Sequence, residues 1–165
     1  MTRTLVLVAA FVAATSLSAA QLEELKNLDA VKSALKSTHA PIRVVNLWAT
    51  WCAPCVAEMP DLQKLSERFP RIALMGISLD DAIPGTAGET RAKVARFLRD
   101  RRVTFRNFYF TGRQAELTDH FNFEGELPVT FVYDSDGKEL TRVVGQLDYD
   151  SFAKKLASLE KARKR

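Results

Sequence analysis

Cys52 and Cys55 are the side chains of this sequence best suited to covalent chemistry. They are the two cysteines of the chain, and they follow the apolar run 42–48 at the start of a predicted helix, Val56 to Phe69. A cysteine at a helix N-terminus meets unpaired N–H groups and the positive end of the helix dipole, and both favour the thiolate. The spacing therefore predicts a reversible dithiol/disulfide centre.

The position of each cysteine predicts its role. Cys52 lies at the mouth of the predicted helix, so its pKa is expected to fall below the free value of about 8.5. Cys55 lies one turn further in and is expected to be more buried. Cys52 would attack a partner disulfide, and Cys55 would then attack Cys52 and release the reduced partner. Pro54 stiffens the turn and lacks an N–H that would otherwise be unpaired there.

Two other interpretations of the cysteine pair fit less well. A structural disulfide of this spacing closes a tiny loop and contributes little through chain entropy. A metal site needs about four ligands, and neither His39 nor His120 has motif spacing to the cysteines. We therefore expect no metal and no cofactor, and we expect both histidines to be ordinary surface residues.

The N-terminal twenty residues are predicted to be a separate unit. Arg3 precedes the apolar run 5–14, and small residues precede Gln21, which predicts a secretory signal cleaved after Ala20. The alternative is an uncleaved anchor formed by residues 4–20, although this uncharged stretch is shorter than the roughly 20 residues of a spanning helix. Residues 21–165 would form one domain of an exported, periplasmic protein, where a cysteine pair becomes a disulfide unless it is kept reduced.

The charge does not indicate a nucleic-acid partner. The formal net charge is only +4, and the basic side chains of segment 89–102 are spread around a predicted helix together with Glu89 and Asp100. That distribution is typical of a solvated face. The basic tail 161–165 is likewise interpreted as a solvated helix end, with contact to anionic lipid as the alternative.

Hydrophobic periodicity predicts an α/β fold around a parallel or mixed sheet. Strands are predicted over 42–48, 72–79, 105–110, 128–133 and 138–144. Helices are predicted over 21–37, 56–69, 89–102 and 112–121, with a last helix capped by Asp148 or Asp150. Residues 134–137 predict a hairpin turn, and Pro60 is expected to kink the cysteine helix near Glu58.

Residues 44–55 resemble the active-site segment of thioredoxin-fold proteins, most of all the exported TlpA/ResA-like thiol-disulfide oxidoreductases of bacteria. The match continues over 56–60, and residues 127–134 are similar to the family's cis-proline strand. The resemblance covers roughly Ile42 to the last helix. It implies a thioredoxin-like fold, with a central mixed β-sheet flanked by helices on both faces.

The resemblance also implies roles for single residues. Cys52 would be the exposed nucleophile and Cys55 the resolving thiol. Pro128 would be cis and lie against the disulfide, which leaves the backbone of Leu127 free to pair with an incoming extended peptide. The residues expected to dock the substrate are Trp51, Ala53, Pro54 and Leu127.

Glu58 matches an acidic residue that lies near the cysteines in this family. If it is partly buried, it would have a raised pKa and could accept and return protons during exchange. A surface glutamate is the alternative interpretation. Cytosolic thioredoxins carry a buried Asp where Asn46 stands, so that proton route is missing here. The family also often begins with a β-hairpin, whereas segment 21–37 predicts a helix.

The function expected from the resemblance is that of a reductant. Electrons would arrive from a membrane-embedded thiol transporter and pass, through transient mixed disulfides, to exported proteins such as apocytochromes c or copper-site proteins. We expect a monomer. The alternatives are an oxidant that introduces disulfides and a Cu(I)-binding module, since copper suits soft thiolate ligands. A thiol peroxidase fits less well, because no Thr is placed to activate peroxide ahead of Cys52.

Overall fold

The computed structural model describes residues 22–82 and 87–163. The predicted signal segment, residues 1–20, and its expected cleavage point lie outside these residues. None of the helices within the described ranges is both long and apolar enough to cross a membrane.

The described residues form six strands and five α-helices. The strands are β1 (Glu23–Leu25), β2 (Ile42–Trp48), β3 (Ile72–Ser78), β4 (Arg106–Phe110), β5 (Val129–Asp134) and β6 (Glu139–Val144). The α-helices are α1 (Leu28–Lys36), α2 (Ala53–Arg68), α3 (Ala87–Asp100), α4 (Gln114–Phe121) and α5 (Tyr149–Ala162). A short 3-10 helix, Asp80–Ala82, follows β3.

The strands form one mixed sheet in the order β1-β4-β3-β2-β5-β6. The first four of these are parallel to one another, while β5 is antiparallel to β2 and β6 is antiparallel to β5. Strands β2 and β3, which are parallel neighbours, form a β-α-β unit with α2 between them. Because β5 runs against β2, Val129 pairs with Leu47, and the residues before Val129 lie at the edge of the sheet where β2 ends.

Helices cover both faces of the sheet, as predicted. Side chains of α2, α3 and α5 pack on one face with Val44 and Trp48 of β2. Side chains of α1 and α4 pack on the other face with Val45 and Leu47. All seven residues of β2 are buried, which confirms a strand with both faces covered and explains its continuous apolar pattern.

The helix predicted over 21–37 is wrong in its first part. Residues 23–25 form strand β1, which pairs in parallel with β4, and α1 begins only at Leu28. Asn27 sets this boundary, because its side-chain oxygen accepts the amide of Ala30 at 2.9 Å, the favoured geometry of a helix N-cap. Leu22 and Leu25 are both buried, and their spacing fitted a helix as well as it fits this short strand.

The other predicted boundaries move by a few residues. Helix α2 starts at Ala53 rather than Val56 and runs through Pro60, and the kink near Glu58 stays a prediction. The hairpin turn is confirmed, since the Asp134 amide donates to the Lys138 carbonyl at 3.0 Å. Asp148 is the cap of α5, because its carboxylate accepts the Ser151 amide at 2.9 Å.

Candidate active site

The two cysteines are joined in a disulfide at the N-terminus of α2. Cys52 is the N-cap residue, and the Cα atoms of Cys52 and Cys55 are 5.2 Å apart. The Cys55 amide donates to Cys52 Sγ at 3.3 Å. Pro54 lies in the first turn of α2, where a missing N–H leaves no donor unsatisfied. The first turn of the helix therefore directs a backbone donor at the sulfur that the sequence identified as the nucleophile.

The two sulfurs differ in accessibility as predicted, but by less than expected. Cys55 is fully buried and Cys52 is 6% exposed. The expectation of an exposed Cys52 is therefore wrong for the disulfide form, because its side chain folds back over the first turn of α2 to reach Cys55. The residues around it are more open: Trp51 is 50% exposed, and Ala53 and Pro54 are also exposed.

The end of β2 is fixed in place before the cysteines begin. The Trp48 indole N–H donates to Asn107 Oδ1 at 3.1 Å, and its ring lies 5.4 Å from that of Phe97. Gly76 makes room for this contact, since a Cβ at that position would lie 2.1 Å from Asn107 Oδ1. The Leu79 amide donates to the Trp48 carbonyl at 2.8 Å, which joins the ends of β2 and β3.

The proline strand has the expected form. The peptide bond between Leu127 and Pro128 is cis, and Pro128 is buried. Leu127 and Trp51 line a small cavity of about 70 Å³ together with Phe123. Trp51 and Leu127, two of the residues expected to dock a substrate, are thus brought together. That docking role itself stays a prediction.

Glu58 is fully buried, so the interpretation as a surface glutamate is wrong. One carboxylate oxygen accepts the side-chain amide of Asn46 at 2.8 Å, and the other accepts the backbone amide of Leu147 at 2.9 Å. The same Asn46 amide donates to the Thr130 hydroxyl oxygen at 3.0 Å. The carboxylate is therefore held by β2, by β5 through Asn46, and by the turn before α5.

Burial raises the pKa of Glu58 to about 7. Desolvation is the largest cause, and the hydrogen bonds from Leu147 and Asn46 oppose it by stabilising the ionised form. The negative charge of Asp61 raises the pKa a little further. A carboxyl that titrates near neutral pH, one helical turn after Cys55, has the acidity required to take up and return a proton.

The two histidines lie apart from this chemistry. His39 and His120 are exposed, as predicted for ordinary surface residues. Within 22–82 and 87–163, no group of three or more His, Cys, Asp or Glu side chains is arranged to hold a metal ion.

Sequence reasoning missed three groups near the pair. The Leu147 amide, which binds Glu58, is a backbone donor and leaves no trace in the residue pattern. Asp80 and Thr50 are joined by hydrogen bonds. A signal existed for this second contact, because the residues that follow two adjacent parallel strands meet at the same edge of the sheet.

Together, the fold and the site define a thioredoxin-like protein with a Cys-X-X-Cys disulfide. The structure of a thioredoxin-related protein from Neisseria meningitidis serogroup B is 29% identical, has a TM-score of 0.62, and covers 79% of this chain and 91% of its own. The predicted thioredoxin-like fold is thereby confirmed. Residues 18–138 match the AhpC/TSA family, and the chain belongs to that family.

Curated relatives carry related names. The thiol-disulfide oxidoreductase ResA of Bacillus cereus is 29% identical over 120 residues, which are 73% of this chain and 64% of ResA. The thiol:disulfide interchange protein HelX of Rhodobacter capsulatus is 33% identical over 121 residues, 72% of this chain and 60% of HelX. The resemblance stated from the active-site segment is confirmed, and the match spans less than two thirds of each relative's length.

Proposed function

We propose that the protein is an exported thiol-disulfide oxidoreductase that reduces disulfides in other exported proteins. The observation that carries the proposal is the disulfide between Cys52 and Cys55 at the N-terminus of α2. A helix N-terminus stabilises a thiolate, and the Cys55 amide already points at Cys52 Sγ. The names of ResA and HelX support the same activity.

The exchange begins from the reduced protein. The Cys52 thiolate attacks one sulfur of a partner disulfide, a bond forms between Cys52 Sγ and that sulfur, and the second partner sulfur leaves as a thiolate that takes up a proton. Cys55, deprotonated, then attacks Cys52 Sγ. The disulfide of the protein closes and the first partner sulfur is released. Two electrons have passed from the protein to the partner.

Glu58 is proposed to handle the proton of Cys55. The second step needs the Cys55 thiolate, and Cys55 is fully buried, where burial in apolar surroundings disfavours the anion. Glu58 follows it by one turn and has a pKa of about 7, so its ionised form can accept the thiol proton as the attack begins. The proton returns when the disulfide is reduced again.

The partners follow from the same chemistry. The substrates would be cysteine-containing exported proteins, such as apocytochromes c or copper-site proteins, that dock as extended chains beside Trp51 and Leu127. The electron donor would be a membrane-embedded thiol reductant, and the protein would act as a monomer. Direction depends on the reduction potential: about −270 mV is typical of thioredoxin and about −120 mV of a strong oxidant.

Reduction of insulin by the purified protein, together with its potential against glutathione, tests the proposal. We expect insulin reduction and a potential closer to that of thioredoxin. A potential near that of the strong oxidant would overturn the reductant role in favour of disulfide introduction. Failure to exchange disulfides at all, with tight Cu(I) binding by the reduced protein, would favour the metal-binding alternative.

Two cysteine variants test the order of attack. Cys52→Ser is expected to abolish insulin reduction, because no nucleophile remains at the helix N-terminus. Cys55→Ser is expected to accumulate mixed disulfides at Cys52, since the resolving thiol is gone. Acid quenching and mass spectrometry measure the adducts. Adducts on Cys55 in the Cys52→Ser protein, and none on Cys52, would reverse the assignment.

A further inference from the structure

Asp80 is a buried carboxylate that the exchange mechanism above does not use. It is 1% exposed. Its two oxygens lie 3.1 and 3.0 Å from the Thr50 amide nitrogen, the Thr50 hydroxyl donates to Oδ1, and the Ser78 hydroxyl donates to Oδ2 at 2.7 Å. These donors are all neutral, and Asp80 takes part in none of the ion pairs found among residues 22–82 and 87–163.

These contacts fasten the turn that leads into the disulfide. Thr50 is two residues before Cys52, a step of at most about 7 Å of chain. The turn is closed by the Cys52 amide, which donates to the Ala49 carbonyl at 3.2 Å. Asp80 therefore binds the middle of the turn, and its position in the 3-10 helix after β3 anchors that turn to the neighbouring strand.

A buried carboxylate whose partners among the described residues are all neutral also acts through its charge. A nearby negative charge disfavours a thiolate and so raises the pKa of the thiol. At an effective dielectric constant of about 20, a charge about 10 Å away shifts a pKa by about one unit. The N-terminus of α2 favours the Cys52 thiolate, so the helix and Asp80 act on Cys52 in opposite directions.

We propose that Asp80 is a positioning residue for Cys52, which holds the turn before this cysteine in place and limits how readily it forms a thiolate. The consequence of this role for the reduction potential rests on the proposed function. Oxidants of this kind owe their high potential to a stabilised reduced form. A carboxylate that opposes the thiolate destabilises the reduced form and keeps the potential low, as a reductant requires.

The other charged groups around the 3-10 helix differ from Asp80 in their partners or in their exposure. Asp81 accepts the Tyr109 hydroxyl of β4 at 3.3 Å, and burial raises the pKa of Tyr109 to about 12. On α3, Arg91 bonds to the β1 segment and Glu89 is exposed. On α2, Glu58 is the buried acid that follows the disulfide. Asp81 is thus a matched control, with the same charge one residue further along and a different partner.

The experiment titrates the Cys52 thiolate by its absorbance at 240 nm, in a Cys55→Ala background where Cys52 is the remaining thiol. Asp80→Asn keeps the shape of the side chain, and the hydroxyls of Thr50 and Ser78 can accept its amide hydrogens. Removal of the charge is expected to lower the pKa of Cys52 by about one unit. The control Asp81→Asn removes the same charge from a half-buried position further along the chain and is expected to lower it by less.

A second pair of variants leaves the charge in place. Thr50→Val removes one donor from the carboxylate and loosens the turn, and both effects are expected to raise the pKa of Cys52. Thr50→Ser keeps the hydroxyl and is expected to match the parent protein. If the contact between Asp80 and Thr50 had a purely structural role, Asp80→Asn and Thr50→Val would shift the pKa of Cys52 in the same direction.

Opposite shifts in these two variants support the proposal. Shifts of the same sign, or no shift in variants that thermal melting shows to be folded, overturn it. If Asp80→Asn does not fold, the pKa of Cys52 in Thr50→Val is compared with that in Thr50→Ser. Equal pKa values in these two variants count against the proposal. The titration needs no partner protein, so its result is independent of the insulin assay, which alone tests the proposed function.

Discussion

The two faces of the sheet differ in the reactive groups that they bury. The face covered by α1 and α4 is packed with aromatic rings, from Phe108, Phe110, Phe121, Phe123 and Phe131. The face covered by α2, α3 and α5 carries the disulfide and, in the same layer, the buried polar group of Asn46, Glu58 and Thr130. This second face also buries aromatic rings, from Trp48, Phe69, Tyr109 and Phe152, so the disulfide and the buried polar group distinguish it from the first face.

This difference indicates how the molecule divides stability from reactivity. Aromatic rings bury large apolar areas and contribute strongly to folding. A buried carboxyl is costly unless it is hydrogen-bonded or protonated, and Glu58 accepts two hydrogen bonds from the described residues. We infer that the aromatic face offsets the free-energy cost of a reactive carboxyl on the opposite face.

The largest expected loss of stability comes from Phe131→Ala, which removes an aromatic ring from the face covered by α1 and α4. Phe131 is fully buried, with the ring of Phe121 at 5.1 Å and the guanidinium of Arg142 at 4.8 Å. We expect the free energy of unfolding to fall by about 3–5 kcal/mol, measured with urea. The pH profile of disulfide exchange should not move. A shifted pH profile would show that the two faces of the sheet are coupled, which would contradict the division of stability and reactivity between them.

Glu58→Gln tests the polar face. In the folded protein Glu58 has a pKa of about 7, against a model-compound value of 4.5. Between these pH values the folded protein keeps a proton that the unfolded chain has lost, so wild-type stability falls as the pH rises. The variant lacks this penalty. Its stability relative to wild type should therefore rise by about 2 to 3 kcal/mol between pH 5 and pH 8.

Urea unfolding of the disulfide form at both pH values measures this change without interference from thiols. Glu67→Gln, at an exposed position of the same helix, is the matched control and should show no such trend. The exchange rate of Glu58→Gln should also lose its inflection near pH 7. An unchanged rate profile would leave Glu58 with a role in stability but none in proton transfer.

The smallest expected effect comes from Thr130→Val. The variant keeps the volume of the side chain but removes the hydroxyl that accepts from Asn46. One buried amide hydrogen is left without a partner, at a cost of about 1–3 kcal/mol. Thr130→Ser restores the oxygen and should recover most of the loss in urea unfolding. A loss larger than that of Phe131→Ala would reverse the assignment of stability to the aromatic face.

Local patterns were sufficient for most of the fold. The apolar run 42–48 and the turn 134–137 specify their structure through neighbouring residues. Strand β1 was missed because its three residues owe their conformation to pairing with β4, more than eighty positions away in the chain. An edge strand that short has no periodicity of its own.

The site, like the fold, was predictable where local residue patterns or the family resemblance determine it. The cysteine spacing identified the disulfide, and the resemblance supplied the cis-proline. The contacts of the buried Glu58 could not be predicted from α2, because one of them is with Leu147, which is 89 residues away. Asp80 and Thr50 are 30 residues apart and meet only because β2 and β3 are parallel neighbours. Long-range contacts of this kind, rather than residue type, decide which acid is buried and what it binds.

Because the Leu147 amide donates to Glu58, its proton is a spectroscopic probe of the ionisation of Glu58. The amide proton of Leu147 points at an oxygen whose charge changes near neutral pH, so its resonance frequency follows the ionisation of a group that solvent does not reach. Leu147 directly precedes Asp148, the cap of α5. The carboxyl that titrates is thus hydrogen-bonded to the residue that directly precedes the cap of the last helix.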